Sequence, residues 1–144
     1  MKRLRFVIVL FLSFIAQYSQ GQSTENKDLV FDKTDLKIIQ RADSILYDQS
    51  VWNKDDDREC EDDIAAGKLS LFCALYKASI DITGVYVHRR ASMQIVRFTL
   101  EKYEKGRVIN HRLMDWNNHP ETTFEEVKRV LKESINIVSV QLNK

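Results

Sequence analysis

Residues 91–103 read ASMQIVRFTLEKY, and the period assigned to them decides the fold class. Met93, Val96, Leu100 and Tyr103 recur at a 3-4-3 spacing that stacks them on one helix face, whereas Val96, Phe98 and Leu100 alternate as a half-buried strand would. Glu104 to Arg107, with Gly106 inside, would close a hairpin on the second reading. Met, Gln, Leu, Glu and Lys favour the first, because unbranched side chains lose little rotamer freedom in a helix. The stretch is therefore read as a helix over 91–103, with a short β-hairpin within 94–116 as the alternative.

Working outward, the neighbouring segments are helical too. Ile38, Ile39, Ala42, Ile45 and Leu46 form an apolar stripe behind a cap at Thr34 or Asp35, predicting a helix to about Gln49. Over 68–83, Phe72, Leu75, Ser79 and Ile82 share a face, Ala74 and Ala78 permit close approach, and Gly84 supplies the stop. After Pro120, Thr122 with Glu125 or Thr123 with Glu126 makes a capping box for a long helix marked by Phe124, Val127, Leu131, Ile135, Val138 and Leu142. The expected fold is mainly α, a compact bundle of about four helices. Four glycines and one proline in 144 residues support it, since sandwiches and barrels consume turn residues.

The chain is long enough for one domain, and 44 % hydrophobic with 30 % charged residues is a globular balance. Lys2, Arg3 and Arg5 followed by the apolar run Phe6 to Ala16, with small residues before Gln22, read as a signal peptide over 1–21. Residues 22–33 are then a flexible lead-in, and 34–144 a single mostly helical domain. Removing the leader subtracts three cations, leaving 19 Lys and Arg against 21 Asp and Glu, a net charge of −2. Such a chain is a poor non-specific nucleic-acid binder, and nothing after the leader is long and apolar enough to hold it in a membrane. The expected destination is the periplasm or the exterior. There the only two cysteines, Cys60 and Cys73, should pair. Their loop length corresponds to roughly 3 kcal/mol on the loop-entropy account.

Charge is unevenly placed. Residues 55–63 carry seven acids and Arg58, net −6, whereas 88–112 carry seven Lys and Arg against two acids, net +5. The acidic run reads as a solvated loop or a frayed turn, with the basic segment folding against it. It is not an EF-hand: a count from Asp55 puts Cys60 at the glycine position and Ala66 at that of the bidentate glutamate. No GxSxG, HExxH, P-loop or dinucleotide fingerprint is present, and no metal site or cofactor is expected.

Two clusters could carry chemistry: His88, Arg89 and Arg90, and the run His111, Arg112, Leu113, Met114, Asp115, Trp116, Asn117, Asn118. The arginines could grip a carboxylate or phosphate through two parallel hydrogen bonds, with Trp116 offering a flat contact. On a helix, His111 and Asp115 would share a face, a geometry that suits an imidazole oriented by a carboxylate. A hydrolase using His111 as base and Arg112 as charge stabiliser is thus the enzymatic alternative. On a packing reading, Asp115, Asn117 and Asn118 cap the next helix and Trp116 enters the core.

The strings Ser70 to Leu75 (SLFCAL), His88-Arg89-Arg90 and His111 to Asn118 (HRLMDWNN) resemble a family of small exported bacterial proteins with no assigned activity. The resemblance spans most of 36–142. It implies export, a bacterial source and a shared fold, and transfers no catalytic residue. With no complete catalytic constellation in view, the favoured expectation is a non-enzymatic module that binds a protein partner or a small anionic ligand.

Overall fold

The computed structural model describes residues 29–144. The segment read as a signal peptide, 1–21, and the expected lead-in as far as residue 28 lie outside the described residues. Six α-helices follow in order among them: α1 Lys33–Ile45, α2 Cys60–Ala66, α3 Leu71–Thr83, α4 Ala91–Glu101, α5 Arg112–Asn118 and α6 Phe124–Leu142. The count corrects the expected four. The two additions, α2 and α5, are seven residues each, too short for a 3.6-residue period to show in sequence. Residues 91–101 are helical and no hairpin forms over 94–116. Instead Lys105 and Gly106 take left-handed backbone and turn the chain after α4.

Local chemistry sets most boundaries. The Asp32 carboxylate caps α1 by accepting from the amides of Thr34 (2.7 Å) and Asp35 (2.8 Å), and Asp35 returns a bond to the Asp32 amide (3.1 Å). The start therefore falls before the expected Thr34 or Asp35, because Asp32 satisfies two orphan donors at once. The helix stops at Ile45, and a 3-10 turn over Gln49–Val51, capped by Asp48, replaces its expected end. Gly84 closes α3 at φ 77°, its amide donating to the Ile80 carbonyl. Thr123 and Glu126 form the capping box of α6.

The core is built from apolar faces of four helices. Ile38, Ile39 and Ala42 of α1 meet Leu71, Ala74, Leu75 and Ala78 of α3 on one side and Val127, Val130, Leu131 and Val138 of α6 on the other. Met93, Ile95, Val96 and Leu100 of α4 complete it, and α5 lies across α3 and α4 with Trp116 fully buried. Full burial of each large aliphatic chain contributes about 1.5–3 kcal/mol. No helix among the described residues is long and apolar enough to cross a membrane.

Cys60 and Cys73 are bridged, their Cα atoms 5.1 Å apart, tying α2 to α3. Five of the seven acids in the acidic run are exposed, as a solvated segment requires, but the run is loop only in its first half. Its second half is helical, with Glu61, Asp62 and Asp63 in the first turn of α2, where carboxylates complement the helix dipole. Its first half holds Asp56, only 3 % exposed. Nor do the arginines of the basic segment pair with it. Arg90 goes to Asp35 and Asp32, Arg107 to Glu126 and Arg112 to Glu101, because these acids lie on the elements packed beside them.

Candidate functional site

The turn between α3 and α4 presents His88. Its Nδ1 lies 3.0 Å from the Tyr86 hydroxyl, and its carbonyl accepts from Arg97 Nη1 of α4 at 2.9 Å. Arg97 Nη2 is 3.4 Å from both ring nitrogens. Partial burial, and then the charges of Arg97, Arg89 and Arg58, hold the His88 imidazole below its ordinary range. Burial likewise lowers Arg97, against the pull of Tyr86, although a guanidinium stays charged.

Opposite His88 stands the start of α5. Arg112 pairs with Glu101 at 2.7 Å and lies 5.8 Å from the Phe98 ring centre. Between the two walls opens a cavity of about 290 Å³, with Arg58, His88, Arg97, His111 and Arg112 on its polar side. Phe72, Leu113 and Met114 supply the apolar side. A shallower hollow of about 210 Å³ continues past Arg97 and Arg112 to Arg89 and Gln94. The structure thus gathers His88, Arg89, His111 and Arg112 around Arg97.

The other sequence candidates do different work. Arg90 is committed to the buried Asp35 at 2.9 Å and to Asp32 at 3.2 Å. The Asp115 Oδ2 accepts from three backbone amides, those of Ile109 (2.9 Å), Asn110 (2.6 Å) and His111 (2.9 Å), and these bonds hold its carboxyl below the usual range. Asp115 therefore shapes the entry to α5 instead of orienting the His111 ring, so the His–Asp pair of the hydrolase reading is not formed. Trp116 donates to the Tyr103 carbonyl at 3.2 Å and, being fully buried, offers no contact surface. Asn117 and Asn118 do not cap α6, which is capped by Thr123.

Asn118 instead pairs with the backbone of Asp56, accepting from its amide and donating to its carbonyl, each at 2.8 Å. Asp56 Oδ1 in turn accepts from the Arg58 amide at 2.8 Å. Two residues further on, Cys60 is fixed by the disulfide. These restraints hold Arg58 at φ 68°, a left-handed conformation that costs a residue with a Cβ roughly 1–2 kcal/mol. Arg58 reaches the cavity because the loop is anchored on both sides of it. The sequence reading missed it as a site residue. The available signal was the bridge to Cys73, next to the cavity-lining Phe72.

Asp56 also carries a testable electrostatic cost. Its Oδ2 is buried without a hydrogen-bond partner, and burial raises its carboxyl above the ordinary 3.8, against the Arg58 amide and Ser70 and with help from Asp63 and Asp57. A raised native pKa means that the folded state binds the proton more tightly. The contribution is therefore favourable below the unfolded value and is lost as pH rises through the native one. Asp56→Asn keeps the Oδ1 acceptor and removes the charge, so it should stabilise the protein at pH 7 by about 1 kcal/mol and change little at pH 3. Urea midpoints at the two pH values check this, and a lower midpoint at pH 7 would refute it.

Among the described residues, no group of three or more His, Cys, Asp or Glu side chains is arranged to hold a metal ion. No curated protein and no solved structure matches the chain. Residues 30–136 match the model of a family of unknown function, DUF6197, a span that begins ahead of α1 and runs well into α6. It takes in every helix of the bundle and both walls of the basic cavity, and the chain belongs to this family of unknown function.

Proposed function

We propose that the protein is an exported, non-enzymatic binding module that grips an anionic group in the cavity between the His88 turn and α5. One observation carries the reading. Arg58, Arg97 and Arg112 come from three separate elements to one cavity, and among the described residues the only ion pair they make is that of Arg112 with Glu101. Arg97, partly buried with no carboxylate partner among the described residues, gains most when an anion joins it, and Arg58 and Arg112 add donors from the rim. Export is supported by the leader pattern of residues 1–21 and by the disulfide, which persists in oxidising compartments.

His88 reports occupancy. The charged groups acting on it are Arg97 from α4, Arg89 beside it and Arg58 from the anchored loop; Tyr86 contacts its ring, and His111 and Arg112 stand across the cavity. An anion among these cations offsets the charges that disfavour the imidazolium, so binding should raise the His88 pKa. By linkage, protonated His88 should tighten binding.

Sulfate stays dianionic across the relevant range and serves as the probe. Its affinity should increase several-fold from pH 7.5 to pH 5.5, the His88 ring resonances should titrate at higher pH when sulfate is present, and Arg97→Gln should abolish both effects. Ring signals indifferent to sulfate at either pH would dispose of the proposal.

A further inference from the structure

Resting on that anion-binding reading, we infer that the group held in the cavity is a phosphomonoester dianion carried on a small apolar, preferably aromatic, body. Charge balance comes first. Of the three arginines, Arg112 is offset by Glu101, while Arg58 and Arg97 have no carboxylate partner among the described residues. Two uncompensated cations match a phosphomonoester, whose charge at pH 7 is about −1.5 to −2. A monocarboxylate would leave one guanidinium unbalanced.

Geometry points the same way. Arg97 spends Nη1 on the His88 carbonyl and Arg112 spends Nη1 on Glu101, so each retains part of its donor fork, and Arg58 brings a third from another element. Donors arriving from three elements suit a tetrahedral group with three terminal oxygens. A planar carboxylate is satisfied by the two parallel bonds of a single arginine.

The remaining wall sets the body of the ligand. Phe72, Leu113 and Met114 line it, and Phe72 is braced edge-on by Tyr86, ring centres 5.9 Å apart. A braced ring makes a fixed surface on which a second ring can pack. At about 290 Å³ the space lies at the lower end for small-molecule sites, enough for one ring with its charged group.

Calorimetric titration of the disulfide-intact protein at pH 7.5 with phenyl phosphate, inorganic phosphate and benzoate tests this. Phenyl phosphate should bind at least about tenfold more tightly than either of the others, the value of roughly one well-made charged hydrogen bond or one packed ring face. Arg58→Ala, a change at an exposed side chain, should weaken phenyl phosphate about tenfold. Phe72→Leu should weaken phenyl phosphate more than inorganic phosphate and so shrink the advantage of the first over the second.

Benzoate binding as tightly as phenyl phosphate would overturn the dianion and leave the broader anion reading standing. Inorganic phosphate binding as tightly as phenyl phosphate would overturn the apolar body. No heat with any of the three, together with ring signals indifferent to sulfate, would remove both readings.

Discussion

Asn117→Ala is expected to lower the unfolding free energy by about 4 kcal/mol, because each buried group stripped of its partner costs about 1–3 kcal/mol. The Asn117 side chain is fully buried with all its hydrogen-bonding capacity in use. Its Oδ1 accepts from the Trp52 indole at 2.9 Å and the Leu71 amide at 3.1 Å, and its Nδ2 donates to the Asn53 carbonyl at 3.0 Å and to Asn118 Oδ1 at 3.1 Å. One amide thereby joins α5 to the start of α3 and to the segment leading into the Arg58 loop. Alanine orphans an indole N–H, a backbone N–H and a carbonyl. Asn117→Asp should be comparably damaging, since it turns an acceptor toward the Asn53 carbonyl and Asn118 Oδ1. Urea unfolding should show a lowered midpoint with an unchanged slope. A loss below about 1 kcal/mol would mean that the surrounding backbone rehydrates freely.

Asp35→Ala should cost a similar amount, about 4 kcal/mol, in the range found when one partner of a buried ion pair is removed. Asp35 is 3 % exposed and serves two helices at once. In α1 it completes the capping box with Asp32; toward α4, its Oδ1 accepts from the Ser92 amide at 3.1 Å and pairs with Arg90 Nε at 2.9 Å. Truncation leaves Arg90 only the exposed Asp32 and leaves the Ser92 amide without an acceptor. Asp35→Asn retains an oxygen acceptor and should lose about half as much. A double-mutant cycle with Arg90→Ala should return a coupling above about 1 kcal/mol. Strict additivity would show that the pair is incidental and that the amide bonds alone carry the effect.

These two residues also show how the reading of the sequence divides. Asp35 was visible as a cap candidate, because capping is decided within four residues of chain. Its second role was not visible, because Ser92 and Arg90 reach it only through packing of α4 on α1. Asn117 was visible as an unusual residue in an unusual run, and its assignment went wrong. The run reads either as a surface with Trp116 displayed or as a turn with Trp116 in the core. The structure favours the second for the indole, and the Asn117 amide faces inward with it, tying three segments together instead of capping α6. Polar residues with several donors and acceptors suit a ligand site and a buried junction equally well, and only burial separates the two.

Arginines follow the same logic. The excess of cations over 88–112 was plain, yet the structure pairs Arg90, Arg107 and Arg112 with acids on neighbouring elements and leaves Arg97 and Arg89 beside His88. The sixth cation of interest, Arg58, came from the acidic run itself.

What the amino-acid order determined unaided was therefore the local part: the helical class, the stop at Gly84, a capping box opening α6 in one of two adjacent registers, and the pairing of the only two cysteines. Each depends on neighbours within a turn or two, or on there being a single choice. Tertiary structure alone decided that Asp56 is buried, that Asn118 grips its backbone, and that Arg58 is held in left-handed geometry facing Arg97 and Arg112 across a cavity. Those are contacts between elements far apart along the chain, and their free energy exists only once the core of α1, α3, α4 and α6 has brought the elements together.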